Sequence, residues 1–96
     1  MPQKALAIPT RIESEWSGTT TACDGHVLWA VSPKAFPPGQ PVELVLLLDD
    51  GELELATRAI GSKKRDDGHF ELRVRLVNLR KQARERLDTL FSIQRG

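Results

Sequence analysis

Tyrosine is absent from this sequence, cysteine occurs once, and no hydrophobic run approaches the ~18 residues that a membrane-spanning helix requires. The single cysteine, Cys23, leaves no internal disulfide to form and fits a reducing compartment. The opening MPQKALAIPT lacks the long apolar core of a secretion signal. Formal net charge is only +1, so overall charge exerts no pull toward nucleic acid or a membrane surface. These absences lead to the expectation of a cytoplasmic protein with no membrane span. The balance is globular, with 40% hydrophobic and 28% charged residues over 96 positions. A chain of that size supports one core and buries somewhat over ~60% of its unfolded surface. There is no internal repeat and no low-complexity tract.

The stretch from Gly25 to Leu48 organises the rest. Val27 to Val31 and Val42 to Leu48 read as strands, and between them Pro33, Pro37, Pro38 and Pro41 cannot donate to a ladder. The interruption is therefore a loop, which Gly39 helps to turn. Val42 to Leu48 is apolar except for Glu43, which predicts a central core strand covered on most of both faces.

Residues 1–9 read as a lead, either disordered or an edge strand, and 10–96 as a single domain. From Thr10 to Trp16 apolar and charged positions alternate, the period of one strand with Trp16 inward. Ser17-Gly18 and Asp24-Gly25 read as turns, with extended structure over the threonines between them. Asp49-Asp50-Gly51 predicts a tight hairpin turn into a strand from Glu52 to Ile60, with a bulge near Ala56 to Arg58. Gly61 to Gly68 reads as a charged, mobile loop. The clearest alternation follows, with Phe70, Leu72, Val74 and Leu76 on one face and His69, Glu71, Arg73 and Arg75 on the other. Asn78 is a candidate N-cap for a helix over about 79–92, whose apolar stripe is Ala83, Leu87, Leu90 and Phe91. Five or six short strands joined by hairpins, then one helix, predict a mainly β fold in which a small antiparallel barrel carries a helical lid, because closure removes sheet edges.

The order of elements from about Thr20 to Phe91 resembles the PilZ domain, a six-stranded antiparallel barrel with a C-terminal helix that commonly senses cyclic di-GMP. The likeness lies in Gly25 opening an apolar strand, in SPKAFPPGQPVELVLLL, in the charged hairpin, and in FELRVRLVNL before a helix with apolar residues at its end. The family's ligand chemistry rests on an R-x-x-x-R pair ahead of the barrel and on D/N-x-S-x-x-G. Here the only basic residues before Gly25 are Lys4 and Arg11, too far apart for the pair, and the R-x-x-x-R at Arg80 and Arg84 falls on the solvated face of the expected helix. Aligned on Gly25, Thr20 stands where the acid belongs and Ala22 where the serine belongs. The resemblance thus implies a degenerate member that does not bind cyclic di-GMP by the usual mode. Such members act as non-enzymatic adaptors docking onto another protein in type IV pilus assembly, motility or cyclic di-GMP signalling. Two alternatives stay open: a receptor that takes its cations from elsewhere, such as the Lys63 to Arg65 loop or another chain, and a small barrel binding nucleic acid.

Other residue clusters have plainer readings. Cys23 and His26 are spaced C-x-x-H around Asp24, yet structural zinc takes four ligands and only His69 remains to add to them. No metal, cofactor or catalytic residues are expected. The acid pairs Asp49-Asp50 and Asp66-Asp67 precede glycine, as turn residues do. Lys63, Lys64 and Arg65, with Arg73 and Arg75, form a candidate basic interaction surface. Trp29 shares a face with Val27 and Val31 and is either core or an exposed anchor for a partner.

Overall fold

Alternation of side chains about the sheet decides the architecture. The computed structural model describes residues 7–91. Its strands are β1 (Ile8–Ile12), β2 (Trp16–Asp24), β3 (Val27–Ser32), β4 (Pro41–Leu48), β5 (Gly51–Lys64) and β6 (Phe70–Leu76), followed by the helix α1 (Lys81–Phe91). All neighbours are antiparallel and the order β1-β2-β3-β6-β5-β4 closes on itself, since β1 pairs with both β2 and β4. The expected barrel with a C-terminal helix is therefore present, and the segment read as a lead or edge supplies the closing strand from Ile8 onward. Residues 1–6 of that lead, and the last residue of the expected helix, 92, lie outside the described residues.

The interior is filled from every strand. Ile12, Leu28, Leu44, Leu46, Leu72 and Val74 are completely buried. Thr10, Thr20, Ser32 and Thr57 are buried as well, and each hydroxyl is bonded. Thr10 Oγ1 donates to Ile8 O at 2.8 Å, so in the 2.7 Å Thr10–Thr20 pair Thr20 is the donor. No buried side-chain polar atom among the described residues lacks a partner, as a low-dielectric core requires.

Both mouths are plugged. At one, which we call the upper, α1 inserts Leu87 and Phe91, and Arg84 and Arg86 reach the β2–β3 and β4–β5 turns. At the lower mouth the β3–β4 loop has to cross the barrel, because β3 and β4 are not neighbours. The crossing carries Phe36 into the opening, where it is 2% exposed. Its N–H donates to Ser62 Oγ at 2.9 Å and its carbonyl accepts from the same hydroxyl at 3.0 Å. Trp16 meets Phe36 edge-on at 6.1 Å, with Lys34 Nζ 4.7 Å from the Trp16 ring centre.

Several local expectations are corrected. Thr10 to Trp16 is two strands, since Glu13 and Ser14 both adopt left-handed φ (54° and 61°) and Glu15 N–H closes onto Ile12 O at 3.1 Å. Neither residue type favours that conformation, so the turn left no mark in composition. Ser17-Gly18 is strand, and glycine is needed there for close approach. A Cβ on Gly18 would collide with Val31 O and stand 2.6 Å from Ile12 Cδ1. The β5 bulge falls at Ile60, between Ala59 and Gly61, and β5 runs on through Lys64, which leaves only 65–69 as loop. Asn78 has φ 50° and lies ahead of a helix that starts at Lys81, so it bends the chain and does not cap. β4 buries only Val42, Leu44 and Leu46; its outer face is half covered, and in a closed ring no strand is central.

Candidate docking face

Inward residues of β3 are Leu28, Ala30 and Ser32, so the odd positions Val27, Trp29 and Val31 point outward and are half-buried. Trp29 is thus no part of the barrel core. Register places Val27 opposite Arg75, Trp29 opposite Arg73 and Val31 opposite Glu71 of β6. Beyond β6, Arg75 faces Arg58, Arg73 faces Gly61, and Lys63 faces Glu71 on β5. An apolar column therefore stands beside a basic one. Gly61 carries no side chain to flank Arg73, a consequence of the bulge that resets β5 at Ile60. Among the described residues no carboxylate lies within ion-pair distance of Arg73 or Arg75. An indole bordered by two guanidinium groups without counter-charges combines an apolar anchor with forked donors suited to carboxylate or phosphate.

The residues read from sequence as one basic patch divide into two groups. Trp29, Arg73 and Arg75 share the barrel wall. Lys63 is diagonal to Arg73 on that wall, while Lys64 and Arg65 lie at the lower rim, where Arg65 pairs with Asp67 at 3.4 Å. The His69 backbone N–H, donating to Asp67 at 3.0 Å, and secondarily Arg65, hold the Asp67 carboxyl below the usual range. This is turn chemistry at the β5–β6 connection. At the upper mouth, Asp50 is held below the usual range chiefly by its side-chain hydrogen bond from Arg86.

The eroded ligand-motif positions are scattered by the fold. Thr20 is fully buried and bonded to Thr10, whereas Ala22 lies on β2 directly across from Trp29. Gly25 takes φ 63° in the β2–β3 turn, where its freedom is needed. Sequence pattern assigned Arg84 to the solvated helix face, and here the structure differs. Arg84 is half-buried, its Nη1 donates to Gly25 O at 3.1 Å, and its Nη2 stands 3.1 and 3.3 Å from the two ring nitrogens of His26. In the ring plane such near-equal distances would drive the nitrogen into Cε1, so the guanidinium lies over the imidazole face. No periodicity links a helix to a turn 59 residues away, and nothing in the sequence marked this contact.

Comparison with protein-family models, curated proteins and solved structures finds no match. The remaining site chemistry is brief. Cys23 is half-buried with Sγ 3.9 Å from Gly25 O, and His69 stands at the opposite mouth from Cys23 and His26. Among the described residues no group of three or more His, Cys, Asp or Glu is gathered as for a metal ion. No described helix is long and apolar enough to cross a membrane.

Proposed function

We propose that this chain is a non-enzymatic, PilZ-like adaptor that docks onto another protein through the outer face of β3 and β6. The observation that carries the reading is Trp29 pointing outward beside Arg73 and Arg75, whose charges are unmatched within the described fold. Trp and Arg are the residue types that dominate binding energy at protein interfaces, and an apolar column fenced by cations selects an acidic partner. Support for the PilZ-like part is the closed barrel with its C-terminal helix, which is the architecture the sequence resemblance implies. Thr20, inside the barrel at the position of the motif acid, argues against the usual mode of cyclic di-GMP binding. A role in cytoplasmic signalling, motility or type IV pilus assembly follows from that resemblance.

A receptor for cyclic di-GMP is the second reading, and Arg84 beside Gly25 is what favours it. The Lys63 to Arg65 segment lends that reading no support, since it lies at the other mouth from Gly25. Two measurements test the choice. Titration calorimetry of the full chain with cyclic di-GMP is expected to show no heat, and a micromolar or tighter isotherm would overturn the adaptor reading. Affinity capture with wild type, Trp29→Ala and Arg73→Glu should retain an acidic protein only on the wild type.

A further inference from the structure

The outer face of β4 and β5 repeats the β3–β6 face with the charge reversed. On β4, Leu47 and Val45 are half-buried and outward, and they register with Glu52 and Glu54 of β5. Leu47–Glu52 and Val45–Glu54 thus mirror Val27–Arg75 and Trp29–Arg73, pair for pair. In both sets the first pair lies next to the upper mouth and the second one pleat repeat further down, about 6.7 Å along the strand. Glu54 has no cationic partner among the described residues, and Glu52 has only Arg11, at 3.4 Å and solvent-exposed.

The order of strands around the barrel makes this a geometric match. Passing round in one direction, the apolar column of β3 precedes the basic column of β6, and then the acidic column of β5 precedes the apolar column of β4. Two barrels set so that these strands run alongside one another, upper ends together, therefore meet apolar on apolar and basic on acidic, at equal distance from the upper mouth.

We infer that the acidic β4–β5 face of one copy of this chain receives the Trp29–Arg73–Arg75 face of the next, giving head-to-tail assembly. The inference rests on the reading of the β3–β6 face as a docking surface, and names the acidic face of a second copy as one partner that fits it. Because the two surfaces differ, the contact is heterologous and extends into a ring or a filament.

Sedimentation velocity of the full chain tests this. Wild type should associate with rising concentration at low salt and revert to a 10.7 kDa monomer at about 1 M salt, where the Debye length is about 3 Å. The double variants Arg73→Glu/Arg75→Glu and Glu52→Arg/Glu54→Arg should each be monomeric, since each carries one charge sign on both faces. Mixed in equal amounts they should associate again. Circular dichroism melts of each variant confirm that it is folded. A wild type that stays monomeric up to millimolar concentration overturns the inference, as do assembly that survives either charge reversal and folded variants that fail to associate when mixed. A monomeric wild type whose partner capture still depends on Trp29 defeats self-assembly alone. Salt-sensitive assembly, with partner capture indifferent to Trp29→Ala, defeats the adaptor role alone.

Discussion

Glu13 and Glu43 are joined by two hydrogen bonds, one between backbones and one to the Glu13 carboxylate. Glu13 N–H donates to Glu43 O at 2.8 Å, and Glu43 N–H donates to the Glu13 carboxylate at 2.6 Å. The pair ties the β1–β2 turn to the start of β4, beside the seam where the barrel closes. It also explains why a non-glycine residue tolerates φ 54°.

Two substitutions separate those effects. Glu13→Ala keeps the left-handed strain and loses the acceptor, and should cost about 1–2 kcal/mol in chemical denaturation. Glu13→Gly loses the same acceptor but relieves the strain, so it should be the milder of the two. Equal losses would mean that the backbone conformation is not strained.

Gly18→Ala should be severe for a residue that sequence alone places in a turn. The added methyl meets the Val31 carbonyl and the Ile12 side chain, and overpacking of this kind costs about 1–3 kcal/mol. A melting temperature unchanged from wild type would contradict the close approach of β2 to β3.

Phe36→Ala should cost about 3–5 kcal/mol although Phe36 lies in a loop, and Leu87→Ala about 2–5 kcal/mol at the opposite mouth. Truncation after Leu79 removes the whole upper plug and should leave the barrel unable to fold stably. Urea denaturation checks all three, and a near-neutral Phe36→Ala would show that the lower mouth does not need its plug.

Asp50 titrates below its unfolded value because Arg86 holds its charged form through two hydrogen bonds, at 2.8 and 3.1 Å. The contribution is complete above the unfolded value, near pH 4, and is lost as pH falls through the lower folded value. Both groups are solvent-exposed, so the effect is modest and salt-sensitive. Protection against hydrogen exchange in α1, corrected for the intrinsic rate at each pH, should fall on acidification in wild type, and Asp50→Asn should already show the lower protection at neutral pH and change less.

Trp29 can be read alone in a Trp16→Phe variant. Its emission should be red of a core tryptophan, and iodide should quench it more efficiently than caesium, because Arg73 and Arg75 concentrate anions around it. Blue-shifted emission that resists both quenchers would return Trp29 to the interior and remove the docking face.

Strands with clean alternation were legible from sequence, β6 above all, and so was the helix stripe of Ala83, Leu87, Leu90 and Phe91. What escaped was whatever depends on contacts distant in sequence. Phe36 is buried only because its loop has to cross the barrel, and Gly18 is required only because β3 lies against it. Trp29 had two readings because alternation fixes which residues share a face but not which face turns inward; Leu28 and Ala30 on the other parity took the core. The docking face was half visible. Arg73 and Arg75 were marked by their strand, whereas grouping them with Lys64 and Arg65 merged the wall of the barrel with its rim.

Since β1 is bonded on both flanks, no strand of the described ring has one whole side unpaired. A visiting peptide finds no full-length edge along which to lengthen the sheet, a mode of attachment that is largely indifferent to sequence. Selection along the wall of this cylinder falls to side chains, so two or three substitutions there should suffice to exchange one guest for another.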